Sequence, residues 1–301
     1  MSAPAVAAFV EVETPLRRFV RQFSEDRVAV FGLVVFLLIV ALALAAPFYA
    51  PQNPYDLSRV DLMDSRQPPG AKALDGYTMW LGSDGVGRDI FSAIFYGLRI
   101  SLAVGAASCL IAATLGMTVG LIAAYAGGRT ETLIMRLVDL QLSLPSVLVA
   151  LILVAMFGKG VDKIILALVL VQWAYYARTV RGSALVERSK DYVEAARCLG
   201  LSHTRILFRH ILPNCLAPVI VVATVQTAHA ISLEATLSFL GVGLPQTEPS
   251  LGVLIANGFQ YMMSGKFWIS TFPGLALLIT IVAINLVGDR LRDVLNPRLE
   301  K

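Results

Sequence analysis

The sequence predicts an all-α integral membrane protein with six transmembrane helices, and three observations carry that prediction. Of 301 residues, 56% are hydrophobic and only 15% charged, against roughly 45–50% and about 25% in an average soluble domain. Mean hydropathy is +0.70. Charge-free runs recur at lengths that suit a bilayer, and the basic residues gather on alternate connections between them. With Gly 23, Pro 14 and Cys 3, the composition excludes collagen-like and disulfide-framed folds. Cys109, Cys198 and Cys215 stand in or beside apolar runs and read as free buried thiols.

Residues 1–27 form an N-terminal tail, and residues 28–46 are 19 positions without a charge, close to the ~20 helical residues that cross a bilayer core. This run exceeds the ~7–15 residues of a leader's apolar segment, so it reads as the first span. A polar connection follows over 47–99, carrying Pro47, Pro51, Pro54, Pro68 and Pro69. The core domain, 100–287, holds five further runs at 100–125, 140–157, 164–177, 216–233 and 268–287. Gly116 and Gly120 form a GxxxG on the second run, read as a close-packing stripe. The fourth run reaches only ~21 Å and needs Lys163 and Arg178 to snorkel at its ends. Residues 249–263 predict an amphipathic helix on the outer membrane surface, or a lid that faces the core. A tail, 288–301, completes the chain.

Orientation follows from the basic residues. An internal N-terminus places 17 of the 25 Lys and Arg inside, including seven from Arg178 to Arg209, and eight outside. Both termini are therefore expected in the cytoplasm. The +4 net charge is then a topology signal and gives no support to nucleic-acid binding. The inner connection 178–213 is helical in pattern, with Tyr192, Ala195, Ala196 and Leu199 at three- and four-residue spacing before Gly200, and reads as two short helices meeting at a glycine turn.

Gly158-Lys159 and Gly265-Lys266 lack the earlier glycine of a phosphate-binding G-x4-G-K-[ST] loop, so ATP hydrolysis by this chain is not expected. No familiar nucleophile or zinc motif occurs, and Cys198, His203, His210 and Cys215 are spaced unlike a zinc site. No catalytic, cofactor or metal residue is assigned. Glu234 is conspicuous beside His229 and Gln226, since a carboxylate in hydrocarbon costs about 2.5–3.5 kcal/mol on insertion scales. It either fixes helix packing or meets the solute or a gate; composition and spacing leave both open.

The segment Asp191-Tyr192-Val193-Glu194-Ala195-Ala196-Arg197-Cys198-Leu199-Gly200, followed by Ile211-Leu212-Pro213-Asn214, resembles the EAA loop of permease subunits of ABC importers. Glu194, Ala195, Ala196, Gly200, Leu212 and Pro213 match in register, and His210 stands where the pattern has Ile. Trp80-Leu81-Gly82-Ser83-Asp84 with Gly87-Arg88-Asp89, Gly97-Leu98-Arg99-Ile100-Ser101, Glu234–Gly241 and the stretch from Phe272 to Arg298 are similar to the C-type permeases of the peptide/nickel branch. The resemblance implies a type I importer permease fold in a prokaryotic inner membrane. It implies a second permease, two ATP-binding subunits docking on the EAA loop, an extracytoplasmic solute-binding protein, and lipid as the surrounding partner. Its implied cargo is di- or oligopeptide, with nickel complexes or opines as alternatives. A self-contained channel or ion-coupled transporter, with Glu234 and His229 as a proton relay, is the rival; it gives the EAA-like loop no purpose.

Overall fold

The computed structural model describes residues 14–56 and 60–295; Arg59, Pro297, Arg298 and Lys301, used above for topology or resemblance, lie outside them. A short helix α1 (Pro15–Ser24) precedes α2 (Arg27–Tyr49), which Asp26 caps by accepting from Val28 N at 2.9 Å and Ala29 N at 3.3 Å. Helix α3 (Ile90–Ala126) has 37 residues, about 55 Å and far more than a ~30 Å core. It starts ten residues before the second apolar run, because Asp89 accepts from Ser92 N at 2.8 Å and Ser92 Oγ at 2.6 Å and so sets the N-terminus there.

The third and fourth runs differ from expectation. The third is broken: α4 (Gly128–Ser143) and α5 (Ser146–Phe157) meet at 94°. Pro145 disfavours a helical conformation at Leu144, which is extended at φ −90° and ψ 139°. The fourth is longer than its apolar core suggests. Helix α6 (Val161–Glu187) runs through Arg178 and Arg181, whose guanidinium groups pair with Asp139 and Glu131 of α4. Arg178 therefore binds its neighbour instead of snorkelling, and the connection to the next span begins after Glu187.

Next come α7 (Asp191–Cys198) and α8 (His203–Arg205), which passes through a π-helical turn, Ile206–Ile211, into α9 (Leu212–Phe239). Pro213 at the start of α9 lacks a donor and crowds the preceding carbonyls, which the wider turn accommodates. Helix α10 (Leu251–Phe259) and α11 (Trp268–Val294) complete the bundle. Among the described residues, five helices are individually long and apolar enough to cross a membrane, and the bent pair brings the number to as many as six.

Helix α3 packs along α6. A Cβ at Gly116 would stand 2.4 Å from Trp173 O, and one at Gly120 2.5 Å from Ala177 O, so the GxxxG stripe exists to admit the α6 backbone. Helix α10 does not lie flat on a surface. Leu251, Gly252, Val253, Leu254 and Gly258 are buried between α9 and α11, with Gly252 against the Ala235 backbone and Gly258 against Ser270. The connection before α3 is tied down in the same region. Asp84 accepts from Val86 N and Arg88 N, both at 2.9 Å, and buried Arg88 donates to Gln246 O at 3.0 Å. The Gly82–Asp89 segment is thus a capped turn that anchors the loop to the α9–α10 connection.

Candidate functional site

Helix α7 is buried on one face and exposed on the other, where Arg197 lies 5.5 Å over the Tyr125 ring. Val193 and Ala196 are buried against Ile206, Leu207 and Ile211. Asp191, Glu194, Ala195, Arg197, Cys198 and Leu199 are exposed, Leu199 at 78%. Gly200, at φ +70°, ends the helix: its N–H donates to Arg197 O at 2.9 Å and Leu201 N to Ala196 O at 3.2 Å, a Schellman pair. Nothing lies within 4 Å of a Cβ placed on Gly200, so the requirement is for conformation and not for space. Leu212 is half-buried and Pro213 exposed.

The six EAA-pattern residues therefore divide. Glu194 and Ala195 share the outer face, Gly200 turns the chain, and Ala196 and Leu212 pack inward. Ala196 lies near Val193 on the helix, three residues along, and follows it into the core. Cys198 is exposed, which corrects its reading as a buried thiol; Cys109 and Cys215 are buried. Cys198, His203, His210 and Cys215 are not gathered: no group of three or more His, Cys, Asp or Glu suited to a metal occurs among the described residues. The departure at His210 is absorbed locally, its Nδ1 lying 3.2 Å from Arg205 O.

Four contacts that the sequence did not single out tie this turn to the spans. Tyr192 Oη donates to Glu187 Oε2 at 2.7 Å and accepts from Asn214 Nδ2 at 3.2 Å. Burial, reinforced by the Glu187 carboxylate, pushes the Tyr192 hydroxyl up to about 12, so it remains a donor at neutral pH. Lys190 Nζ reaches the other oxygen of Glu187 at 2.6 Å, and Arg188 donates to Ala124 O at the end of α3. The only advance signal was the position of Tyr192 and Asn214 inside the quoted motif.

Glu187 and Asn214 also line a cavity of about 1290 Å³ between α6, α9 and α11. Arg178, Asp289 and Arg292 lie among its charged residues, and Val221, Val222, Val225 and Gln226 line it along α9. The sequence grouped Gln226, His229 and Glu234, but only Gln226 lines this space. His229 is half-buried elsewhere, its Nδ1 without a partner among the described residues. Glu234 is fully buried, accepting from Ser238 Oγ at 2.8 Å and Ser101 Oγ at 3.1 Å. It makes no ion pair among the described residues. Because α9 continues to Phe239, Glu234 lies more than a turn inside the helix.

Comparison with known proteins gives these features a context. Residues 116–301 match the binding-protein-dependent transport system inner membrane component, and residues 14–69 the N-terminal TM domain of oligopeptide transport permease C. The chain is 38% identical over 299 residues to a di/tripeptide transport system permease protein, DppC, of Pseudomonas aeruginosa, covering 99% of this chain and 97% of that one. It is 42% identical over 288 residues to the dipeptide transport system permease protein DppC of Escherichia coli, covering 96% and 95%. The inward-facing MetNI methionine ABC transporter contains a chain that superposes with a TM-score of 0.57 at 20% identity, covering 69% of this chain and 98% of that one, which supports the same fold. The chain is a multi-pass membrane protein and belongs to the binding-protein-dependent transport system inner membrane components, the permeases of ABC importers.

Proposed function

We propose that this permease is one of two membrane halves of an inner-membrane importer of di- and oligopeptides, with α7 and its glycine turn as the seat of an ATPase subunit. The peptide cargo rests on the names of relatives that align over nearly the whole chain. One observation carries the docking assignment: α7 is anchored by Val193 and Ala196, yet presents Glu194, Ala195 and Leu199 exposed at the Arg-rich end of the bundle. A small-residue face beside a carboxylate fits a cleft that offers a basic group.

In this reading the termini and α7 are cytoplasmic, and the capped loop before α3 faces a solute-binding protein. ATP, bound by the partner subunits, drives their closure. Movement of α7 reaches α6 through Tyr192 and Glu187 and α9 through Asn214, changing the side to which the cavity opens. Nickel complexes remain the second cargo class of the resemblance, but no observation favours them. Affinity purification of the tagged permease, followed by peptide uptake in reconstituted vesicles, tests the proposal. Recovery of two ATPase subunits and ATP-dependent dipeptide uptake is expected; a permease that works alone would overturn it.

A further inference from the structure

Helix α1 has two unlike faces. Leu16, Phe19, Val20 and Phe23 recur at i, i+3, i+4 and i+7 as an apolar stripe, and Arg17, Arg18 and Arg21 fall on the opposite side. The helix contains no Asp or Glu. One edge of the stripe is covered: Phe23 is buried and Phe19 half-buried, their rings 6.4 Å apart, and Arg290 of α11 donates to Gln22 O. That edge holds α1 against α2 and α11. The other edge is open. Leu16 is 74% and Val20 55% exposed, and Arg17 and Arg21 beside them are exposed as well. Thr14, Leu16, Arg17, Val20, Arg21 and Ser24 line a shallow hollow of about 640 Å³ along it.

Position decides what meets this edge. Only Glu25 and Asp26 separate α1 from α2, and Asp26 caps α2. The charge-free run of α2 begins at Val28, so α1 stands at the depth where hydrocarbon gives way to headgroups. Phe31, Val34 and Leu38 of α2 are more than half exposed, the exterior of a lipid-facing span. An apolar edge flanked by arginines at that depth matches lipid on both counts: acyl chains suit Leu16 and Val20, and guanidinium groups bind phosphate oxygens in pairs. We propose that α1 binds anionic phospholipid, with Leu16 and Val20 at the acyl boundary and Arg17, Arg18 and Arg21 among the headgroup phosphates. Each basic side chain near an anionic surface is worth about fivefold in affinity, which zwitterionic lipid does not supply. Arg290 joins α1 to α11, and α11 lines the cavity through Gly288, Asp289 and Arg292, so lipid held at α1 bears on a cavity-lining helix. The inference is independent of the cargo and of the docking role of α7.

The test uses the full complex in proteoliposomes, with a fluorophore on Leu16→Cys and with Cys198→Ser removing the exposed native thiol. Vesicles of phosphatidylcholine are doped, at equal mole fraction, with phosphatidylglycerol or phosphatidylcholine carrying brominated acyl chains, which quench only a dye they touch. The quenching slope for brominated phosphatidylglycerol should exceed that for brominated phosphatidylcholine by about threefold or more at low salt, and the excess should shrink in high salt. With Arg17, Arg18 and Arg21 all changed to Gln, the ratio should fall to about one while brominated phosphatidylcholine still quenches. The comparison of the two lipids in the labelled parent decides by itself, whatever the fate of the triple variant. Equal slopes there would overturn the inference, as would a ratio that persists without the three arginines. Absence of quenching by either lipid would also overturn it, the result expected if an ATPase subunit covers α1.

Discussion

The hydroxyl of Tyr192 donates to Glu187 Oε2 at 2.7 Å, joining the exposed helix α7 to the last turn of α6. Asn214 closes the link to α9. Tyr192→Phe removes the polar link and keeps the ring in its packing. With a charged acceptor the bond is worth about 1.5–3 kcal/mol, so transport is expected to fall at least tenfold while the complex assembles and still hydrolyses ATP. Measuring peptide uptake per ATP hydrolysed checks this; an unchanged ratio would show that the link carries no motion.

The same hydroxyl predicts a pH response. Its value is raised from the usual 10 to about 12, so the neutral donor is favoured in the fold. The stabilisation is fully present below pH 10 and is lost as pH rises through 12. Hydrogen exchange in α7 should therefore accelerate between those values in wild type and show no such step in Tyr192→Phe.

Gly200→Val forces a β-branched residue to φ +70°, a strain of roughly 1–2 kcal/mol or more. The space around the glycine is open, so the effect is expected in the turn and not in the core. Insertion and yield should match wild type while uptake drops severalfold. Reduced insertion, measured by quantitative blotting of membranes, would assign Gly200 to folding.

Glu234 is predicted to act in packing. It is enclosed by the Ser101 and Ser238 hydroxyls and does not line the cavity. Glu234→Leu leaves two buried hydroxyls without their acceptor, at about 1–3 kcal/mol each, and should lower the Tm of the purified complex. Glu234→Gln, which can still accept, should be milder. All peptides should be affected alike in both variants; selective loss of one peptide class would place Glu234 on the path.

Much of this architecture was legible because a bilayer allows few solutions. The charge-free run before Pro47 and the glycines at 116 and 120 announced a span and a helix contact, and both depend on local sequence. What was not legible depended on partners distant in the chain. Arg178 looked like a helix end because its partner Asp139 lies on another helix. Glu234 was grouped with Gln226 by proximity in sequence, whereas burial on α9 separates them: one meets serines of α3 and α9, the other a cavity wall. The 80–89 segment was recognisable as a motif, but its role as a capped anchor needed Gln246 to be seen beside Arg88.

Cys198 offers the most direct test of the central claim that α7 is the docking surface. It is exposed on α7 four residues from Glu194, and the other two cysteines are buried, so a maleimide reports on this face without any mutation. In the isolated permease Cys198 should label readily, and in the complex with its ATPase subunits its labelling rate should fall at least tenfold, with Glu194→Lys restoring it by weakening the docked state. Equal labelling of Cys198 with and without bound ATPase subunits would contradict the account.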